Sequence, residues 1–413
     1  MEKERFRWDD VRWGHCLFAC MSVMVIVWVG CQSDSNRTDD IHEPKAGVWS
    51  DLLPKPSFVS VRSAETPRIQ GWYDSMLVRT GFAGGIIVAR NDSILFERYS
   101  DKLIDGKPMG ISATQATHIA SVSKTFTALA VMHLAQAKQI DLDQPLQRYM
   151  PEFPFSDITI RHLLNHRSGL PNYTHYLEEM QYDTSVALTN QALLEHLVAY
   201  RDRLPNVSPT NKRFAYCNTN YALLASLIER VSGKLYPDFM QDSFFRPLGM
   251  EHSFVFRWAD TSRVPISYDW RGRIYPYNFL DAVYGDKNIY STPRDLLIWD
   301  AYLRRGAGLE TSLQDQMYQP YSFERPGYRH YGLGWRLTYM PGLPRIIYHN
   351  GWWHGNNAVF FRLPDQGVVI IVLGNQFNRN IYKARMLANL FGDFGAGTEE
   401  EDSASGRAGD KLP

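Results

Sequence analysis

The chain has 413 residues, 44% of them hydrophobic and 13% aromatic, enough to bury one large core or two smaller lobes and so not a disordered polymer. Lysine plus arginine and aspartate plus glutamate balance at 44 each. No long basic block interrupts the body, so nothing electrostatic points to nucleic acid as a partner.

The first element is Leu17–Gly30, an almost unbroken apolar run preceded by Lys3, Arg5, Arg7 and Arg12. It is too short for an ordinary spanning helix and suits the core of a signal peptide. Val29-Gly30-Cys31 resembles a bacterial lipobox, in which the cysteine is acylated after cleavage. Trp28 and the acidic Glu2, Glu4, Asp9 and Asp10 depart from that pattern, and an uncleaved anchor is the alternative. The expectation is a lipoprotein-type signal peptide over 1–31 with lipid on Cys31, holding an exported bacterial protein at the cell envelope. A tether over 32–65, rich in Ser, Asp, Pro and Lys, would follow. The main domain is expected over 66–394, with a disordered tail over 395–413 that carries Glu399, Glu400, Glu401 and Asp402. Cys217 is the one cysteine between Cys31 and the end, so the mature domain can form no intrachain disulfide. It reads as a packed residue, with a thiol nucleophile as the alternative.

Within the domain, a helix is expected near Trp72–Thr80, then a hairpin of Gly84–Ala89 and Ser93–Tyr99 around Asn91-Asp92. A helix begins at Ser121 and runs to near Gln136, with Val122, Phe126, Leu129, Ala130, His133 and Leu134 on one stripe. Helical patterns continue through Asn190–Tyr200 and Tyr221–Ser232, the latter closed by Gly233. A second hairpin pairs Ala358–Leu363 with Val368–Leu373, and a last helix covers Ile381–Phe391. Strands at both ends with helices between them predict an α/β (α+β) fold: an antiparallel sheet built from both termini, flanked by N- and C-terminal helices, plus an inserted helical lobe. The active site would lie in the cleft between them.

Positions i and i+3 share a helix face, so Ser121 and Lys124 would point the same way. A serine hydroxyl becomes a nucleophile when a neighbouring base takes its proton, and a desolvated lysine can be that base. Tyr216 and Asn218, two apart in extended chain, face one side. They would serve as a proton relay and a holder of substrate or lysine. His349-Asn350-Gly351 falls on an expected strand, where Gly351 would let a substrate approach the backbone.

In that order, Ser121-x-x-Lys124, Tyr216-x-Asn218 and His349-x-Gly351 resemble the three motifs of the class C β-lactamase-like serine hydrolases. This branch of penicillin-recognising enzymes includes esterases, D-alanyl-D-alanine carboxypeptidases and D-aminopeptidases. The segments Ile158–Leu170 and Tyr290–Leu297 are similar to stretches common there. The resemblance runs from about residue 70 to 392, implies the β-lactamase/transpeptidase-like fold, and calls for no cofactor and no metal. It implies that Ser121 is the nucleophile, Lys124 its activating partner and Tyr216 the proton carrier to the leaving group. Asn218 would position substrate, and the N–H groups of Ser121 and Trp352 would form the oxyanion hole.

His349 stands where the β-lactamases carry lysine. A histidine is mostly neutral at neutral pH, so binding of penicillin carboxylates should be weaker. The expected reaction is hydrolysis of an ester or small amide, on a small-molecule or short-peptide substrate, with slow or no β-lactam turnover. A D-amino-acid peptidase acting on peptidoglycan peptides and a silent cell-wall or antibiotic sensor are the alternatives. Trp352 and Trp353 would either narrow the cleft mouth or pack in the core. His162 and His166 have the spacing of a zinc helix, but Leu163 takes the place of the glutamate base, so packing and capping is the favoured reading.

Overall fold

The computed structural model describes residues 55–101, 103–104, 107–108, 111–324, 327–339 and 342–395. The leader, Cys31, most of the tether and the acidic tail lie outside the described residues.

An eight-stranded sheet carries the fold. Its strands are β1 (Val59–Ser60), β2 (Gly84–Arg90), β3 (Ser93–Ser100), β4 (Arg329–Tyr331), β5 (Arg336–Thr338), β6 (Ile346–Trp353), β7 (Asn356–Leu363) and β8 (Val368–Gly374). The spatial order is β1-β3-β2-β8-β7-β6-β5-β4. Both expected hairpins form, and β2 of the first pairs antiparallel with β8 of the second, from Val368 opposite Arg90 to Gly374 opposite Gly84. The sheet is therefore closed in its middle by strands from opposite ends of the chain. Its edge corrects the sequence reading in two ways: β1 lies inside the stretch expected to be tether, and it pairs parallel to β3.

Strand side chains alternate between faces. Ile87, Phe360 and Ile371 enter the core shared with the helical lobe, whereas Ile86, Val88, Phe361 and Ile370 enter a second core on the opposite face. Burial on both faces explains why β7 and β8 read as nearly continuous apolar runs. The second core is roofed by α1 (Thr66–Met76), which begins earlier than expected, and by the last helix, Arg379–Leu390. The last helix is wound as a 3-10 helix. Its buried residues are Ile381, Ala384, Leu387 and Ala388, which face the second core.

Helix α2 (Ser123–Gln136) occupies the centre of the lobe, with every residue from Ser123 to Leu134 buried. The sequence stripe is only part of a helix that is enclosed all round, as a central core helix is. Phe126 stacks on Trp299 with centroids 4.0 Å apart, locking α2 to the helix Pro293–Arg304. Other lobe helices are α3 (Asn190–Ala199) and α4 (Asn218–Ser232), the latter ended by Gly233 at φ +69° as its sequence signal predicts. Helix α4 starts three residues earlier than read, so Asn218 is its first residue.

Candidate active site

The chain enters α2 through a 3-10 turn, Ala120–Val122, in which Ala120 has φ +48°. An alanine gains nothing from this left-handed conformation and pays steric strain of roughly 1–3 kcal/mol, so surrounding contacts must impose it. The Ala120 N–H donates to Nδ1 of buried His118 at 2.9 Å. Ser121 follows, half-buried at the head of the helix.

Lys124 is fully buried, and its Nζ lies 3.1 Å from Ser121 Oγ, 2.8 Å from Asn218 Oδ1 and 2.7 Å from the Asp286 carbonyl oxygen. As an ammonium it donates to all three. Two of these partners only accept, so a neutral amine would keep its two hydrogens on them and turn its lone pair to the Ser121 hydroxyl. That arrangement suits a general base. The Asp286 carbonyl is itself fixed from behind: its carboxylate accepts from the Tyr173 hydroxyl at 2.9 Å and pairs with Lys287 at 3.5 Å, while Lys287 also donates to Tyr173. All three side chains are buried, and burial holds the Lys287 amine below the ordinary lysine range.

The Tyr216 ring lies 5.0 Å from Lys124 Nζ, and its hydroxyl is buried with no hydrogen-bond partner among the described residues. An unpaired buried hydroxyl costs about 1–3 kcal/mol, so a substrate atom that paired with it would gain that amount. Cys217, next in the chain, faces away and donates weakly to the carbonyls of Leu170 and Pro171. Burial pushes its thiol up to about 11, which leaves no thiolate for chemistry at neutral pH.

His349 on β6 is buried with both ring nitrogens engaged. The direction of each bond follows from the fixed groups at the ends. The Cys217 amide donates to His166 Nδ1 at 3.1 Å, so His166 carries its hydrogen on Nε2 and donates to the Tyr331 hydroxyl at 3.2 Å. Tyr331 then donates to His349 Nε2 at 3.2 Å, and His349 Nδ1–H donates to the Asn350 carbonyl at 2.7 Å. Burial, with Arg336 and Lys124 nearby, holds His349 well below the usual histidine range, and burial does the same for His166. The relay is uncharged and tied into the protein, and His349 presents no open polar atom to a substrate. His162, the other half of the zinc-like spacing, shares a capping box with Thr159.

Gly351 also makes room within the protein. A Cβ there would lie 2.5 Å from the Ile119 carbonyl oxygen, 2.9 Å from Ala120 Cβ and 3.0 Å from the Ser121 nitrogen. The missing side chain makes room for the Ser121 turn, so β6 passes directly against it. The backbone after Gly351 thereby runs beside the Ser121 amide, where the oxyanion donors Ser121 N–H and Trp352 N–H are expected. Both indoles are half-buried: Trp352 Nε1 donates to the His354 carbonyl at 2.8 Å and Trp353 Nε1 to Asp281 at 2.6 Å.

Asp286, Lys287, Tyr331 and Arg336 escaped the sequence reading. Arg336, on β5 beside β6, places its guanidinium 5.3 Å from the Tyr216 ring centre. Nothing in spacing marks it, because it enters the site from a neighbouring strand.

A sheet closed by both chain ends, with an enclosed central helix and a buried lysine on a serine, is the plan of the penicillin-recognising fold. The Beta-lactamase family profile matches residues 71–390, and the chain belongs to that family. It is 28% identical over 338 residues to penicillin-binding protein 4* of Bacillus subtilis, covering 77% of this chain and 74% of that protein. The fold is similar to that of a penicillin-binding protein from Bacillus halodurans (TM-score 0.67, 23% identity, 77% of this chain and 98% of the other). It is likewise similar to D-amino acid amidase from Ochrobactrum anthropi (TM-score 0.64, 23% identity, 79% and 99%).

Proposed function

We propose that the protein hydrolyses a carboxylic ester or small amide through an acyl-Ser121 intermediate, with weak or no β-lactam turnover. The observation that carries this reading is the Lys124 amine, buried and bonded to Ser121 Oγ while two carbonyl oxygens occupy its other hydrogens. Lys124 takes the Ser121 proton as Oγ attacks the carbonyl. Backbone N–H groups stabilise the oxyanion, and Tyr216 passes a proton to the leaving group. Water then releases the acyl group by the reverse route. The neutral, enclosed His349 supports the exclusion of penicillins, since it offers no cation for their carboxylate.

One observation favours a second reading. Arg336 beside Tyr216 supplies a permanent charge to the cleft, which suits a D-peptide ending in a free carboxylate. Both readings are compatible with the envelope address proposed from Cys31.

The test compares turnover of p-nitrophenyl acetate, a D-amino acid amide, a peptide ending in D-alanyl-D-alanine, and nitrocefin. Ester or amide turnover that vanishes in Ser121→Ala supports the first reading. Peptide turnover that falls in Arg336→Gln with the ester rate kept supports the second. Nitrocefin hydrolysis rivalling the ester rate overturns the first, and equal activity in Ser121→Ala removes Ser121 from the mechanism.

A further inference from the structure

Besides the bond from the Thr127 hydroxyl to the Gly285 carbonyl at 2.7 Å, four bonds tie the stretch Asp281–Ile289 to the start of α2 and the turn before it. Ile119 N–H donates to the Ile289 carbonyl at 3.0 Å, and Ile289 N–H donates to Ser123 Oγ at 3.1 Å. Lys124 donates to the Asp286 carbonyl at 2.7 Å. The fourth bond runs through His118, which sits on the short strand Thr117–His118 and is buried. Its Nδ1 faces the Ala120 N–H, a group that can only donate, so Nδ1 is bare and Nε2 carries the hydrogen. That hydrogen goes to Asn288 Oδ1 at 2.8 Å. The Asn288 orientation is fixed independently, because its Nδ2 donates to the carbonyls of Asp281 and Val283, each at 2.7 Å. Three backbone groups thus dictate one tautomer and one amide orientation.

Both residues joined by this imidazole stand in the left-handed region outside glycine: Ala120 at φ +48° and Asn288 at φ +71°. Asparagine tolerates that conformation, whereas alanine does not adopt it unaided. On the far side of the turn, β6 passes so near that a Cβ added at Gly351 would lie 2.9 Å from Ala120 Cβ and 3.0 Å from the Ser121 nitrogen.

We propose that His118 is a positioning residue for Ser121: its imidazole, fixed between Ala120 N–H and Asn288 Oδ1, holds the left-handed Ala120 that sets the nucleophile's place. The inference rests on the acyl-serine reading above. Burial, opposed by Asn288 and Asp281 and assisted by His354 and Lys287, pushes the His118 imidazolium down to about 4. The single-tautomer bridge therefore persists at neutral pH. Without it the Ala120 amide is left unpaired in a buried turn, and the turn is free to relax toward the right-handed region with Ser121 displaced.

The experiment measures the rate of Ser121 acylation by a fluorophosphonate probe, together with KM and kcat for a p-nitrophenyl ester and the thermal midpoint. His118→Leu should slow acylation by roughly 100-fold, the usual effect of misplacing a reacting group by an ångström, with KM nearly unchanged. His118→Asn, whose amide oxygen can accept the Ala120 N–H, should recover at least about tenfold of that loss, one hydrogen bond's worth. Adding Ala120→Gly to His118→Leu should also recover rate, because glycine holds the positive φ without support. Should His118→Leu not fold, Asn288→Gly removes the Nε2 acceptor and keeps the backbone conformation; it should slow acylation in the folded protein, with a lowered midpoint from the two further buried bonds it loses. Equal acylation in wild type and a folded His118→Leu or Asn288→Gly overturns the proposal. Equal slowing by His118→Leu and His118→Asn also overturns it, since bulk packing would then account for the effect. An unlabelled wild type, by contrast, brings down the acyl-serine reading itself and the role of His118 with it.

Discussion

The two walls of the cleft use their polar atoms in opposite directions. On the α2 wall, Lys124 turns its amine to Ser121 Oγ, with Asn218 and the Asp286 carbonyl holding it in place. On the β6 wall, His349 turns both nitrogens inward, to Tyr331 and the Asn350 carbonyl. On α2 a half-buried hydroxyl is joined to a fully buried amine, whereas on β6 both imidazole nitrogens are bonded within the protein. Residues that match a motif equally well can thus do unequal work: burial and the count of satisfied atoms separate chemistry from support.

The largest effect expected is on the α2 wall. Ser121→Ala or Lys124→Met should lower ester turnover by roughly 10⁴-fold or more with the thermal midpoint retained, as loss of a nucleophile or its base does. A Lys124→Met enzyme within tenfold of wild type would erase the contrast, because the amine would then be scaffolding too. On the β6 wall, His349→Lys should destabilise the fold by about 3 kcal/mol or more in urea titration, since a charge replaces a neutral, fully bonded imidazole in a closed site. A stable His349→Lys protein with raised nitrocefin turnover would show that this position faces the substrate after all.

Where the walls touch, Gly351→Ala should cost about 1–3 kcal/mol of stability by overpacking and lower kcat more than it raises KM, because the added methyl presses on the Ser121 turn. A mainly KM-raising effect would instead return Gly351 to the role of substrate clearance. The smallest and broadest effect is that of pH. His118, pushed down to about 4, and His166 and His349, both held below the usual histidine range, are neutral in the fold. In the unfolded chain each takes a proton near pH 6.5, so below that pH the unfolded state binds more protons and stability falls. Each contributes a slope of about 1.4 kcal/mol per pH unit across its window. Urea midpoints measured from pH 7.5 down to 5 should decline, and Tyr331→Phe, which breaks the relay on the β6 wall, should change the steepness. A flat profile would mean that these imidazoles are not held neutral.

Much of this was legible in the sequence. The i, i+3 spacing of Ser121 and Lys124, the apolar runs of β7 and β8, and the terminal glycine of α4 are local signals, and local geometry decides them. The lone Cys217 read as packed because a single cysteine is more often buried than reactive, and the structure buries it. Other features had no local signature. The Asp286 carbonyl is a backbone atom, identical in every residue type, so sequence cannot mark it as the third holder of Lys124. Gly351 was read as clearance for a substrate, since its neighbour across space, the Ala120 turn, is more than 200 residues away in the chain. The last helix was expected without its winding, because the buried positions Ile381, Ala384, Leu387 and Ala388 suit an α-helix as well as a 3-10 helix. The parallel edge strand Val59–Ser60 is too short and too exposed for any pattern to announce it.

The pairing of β2 with β8 has a consequence for how the molecule is made. The first hairpin emerges from the ribosome early, but its central partner is synthesised some 280 residues later. Until then β2 has an unpaired edge, and β6, which lies against the Ser121 turn, has not been threaded into place. Contacts of such long sequence separation close slowly, and they leave strand edges open to wrong partners in the meantime. Folding of the sheet and assembly of the site are therefore coupled, and a chain cut before Val368 should carry every residue of the three motifs yet lack the surface that aligns them.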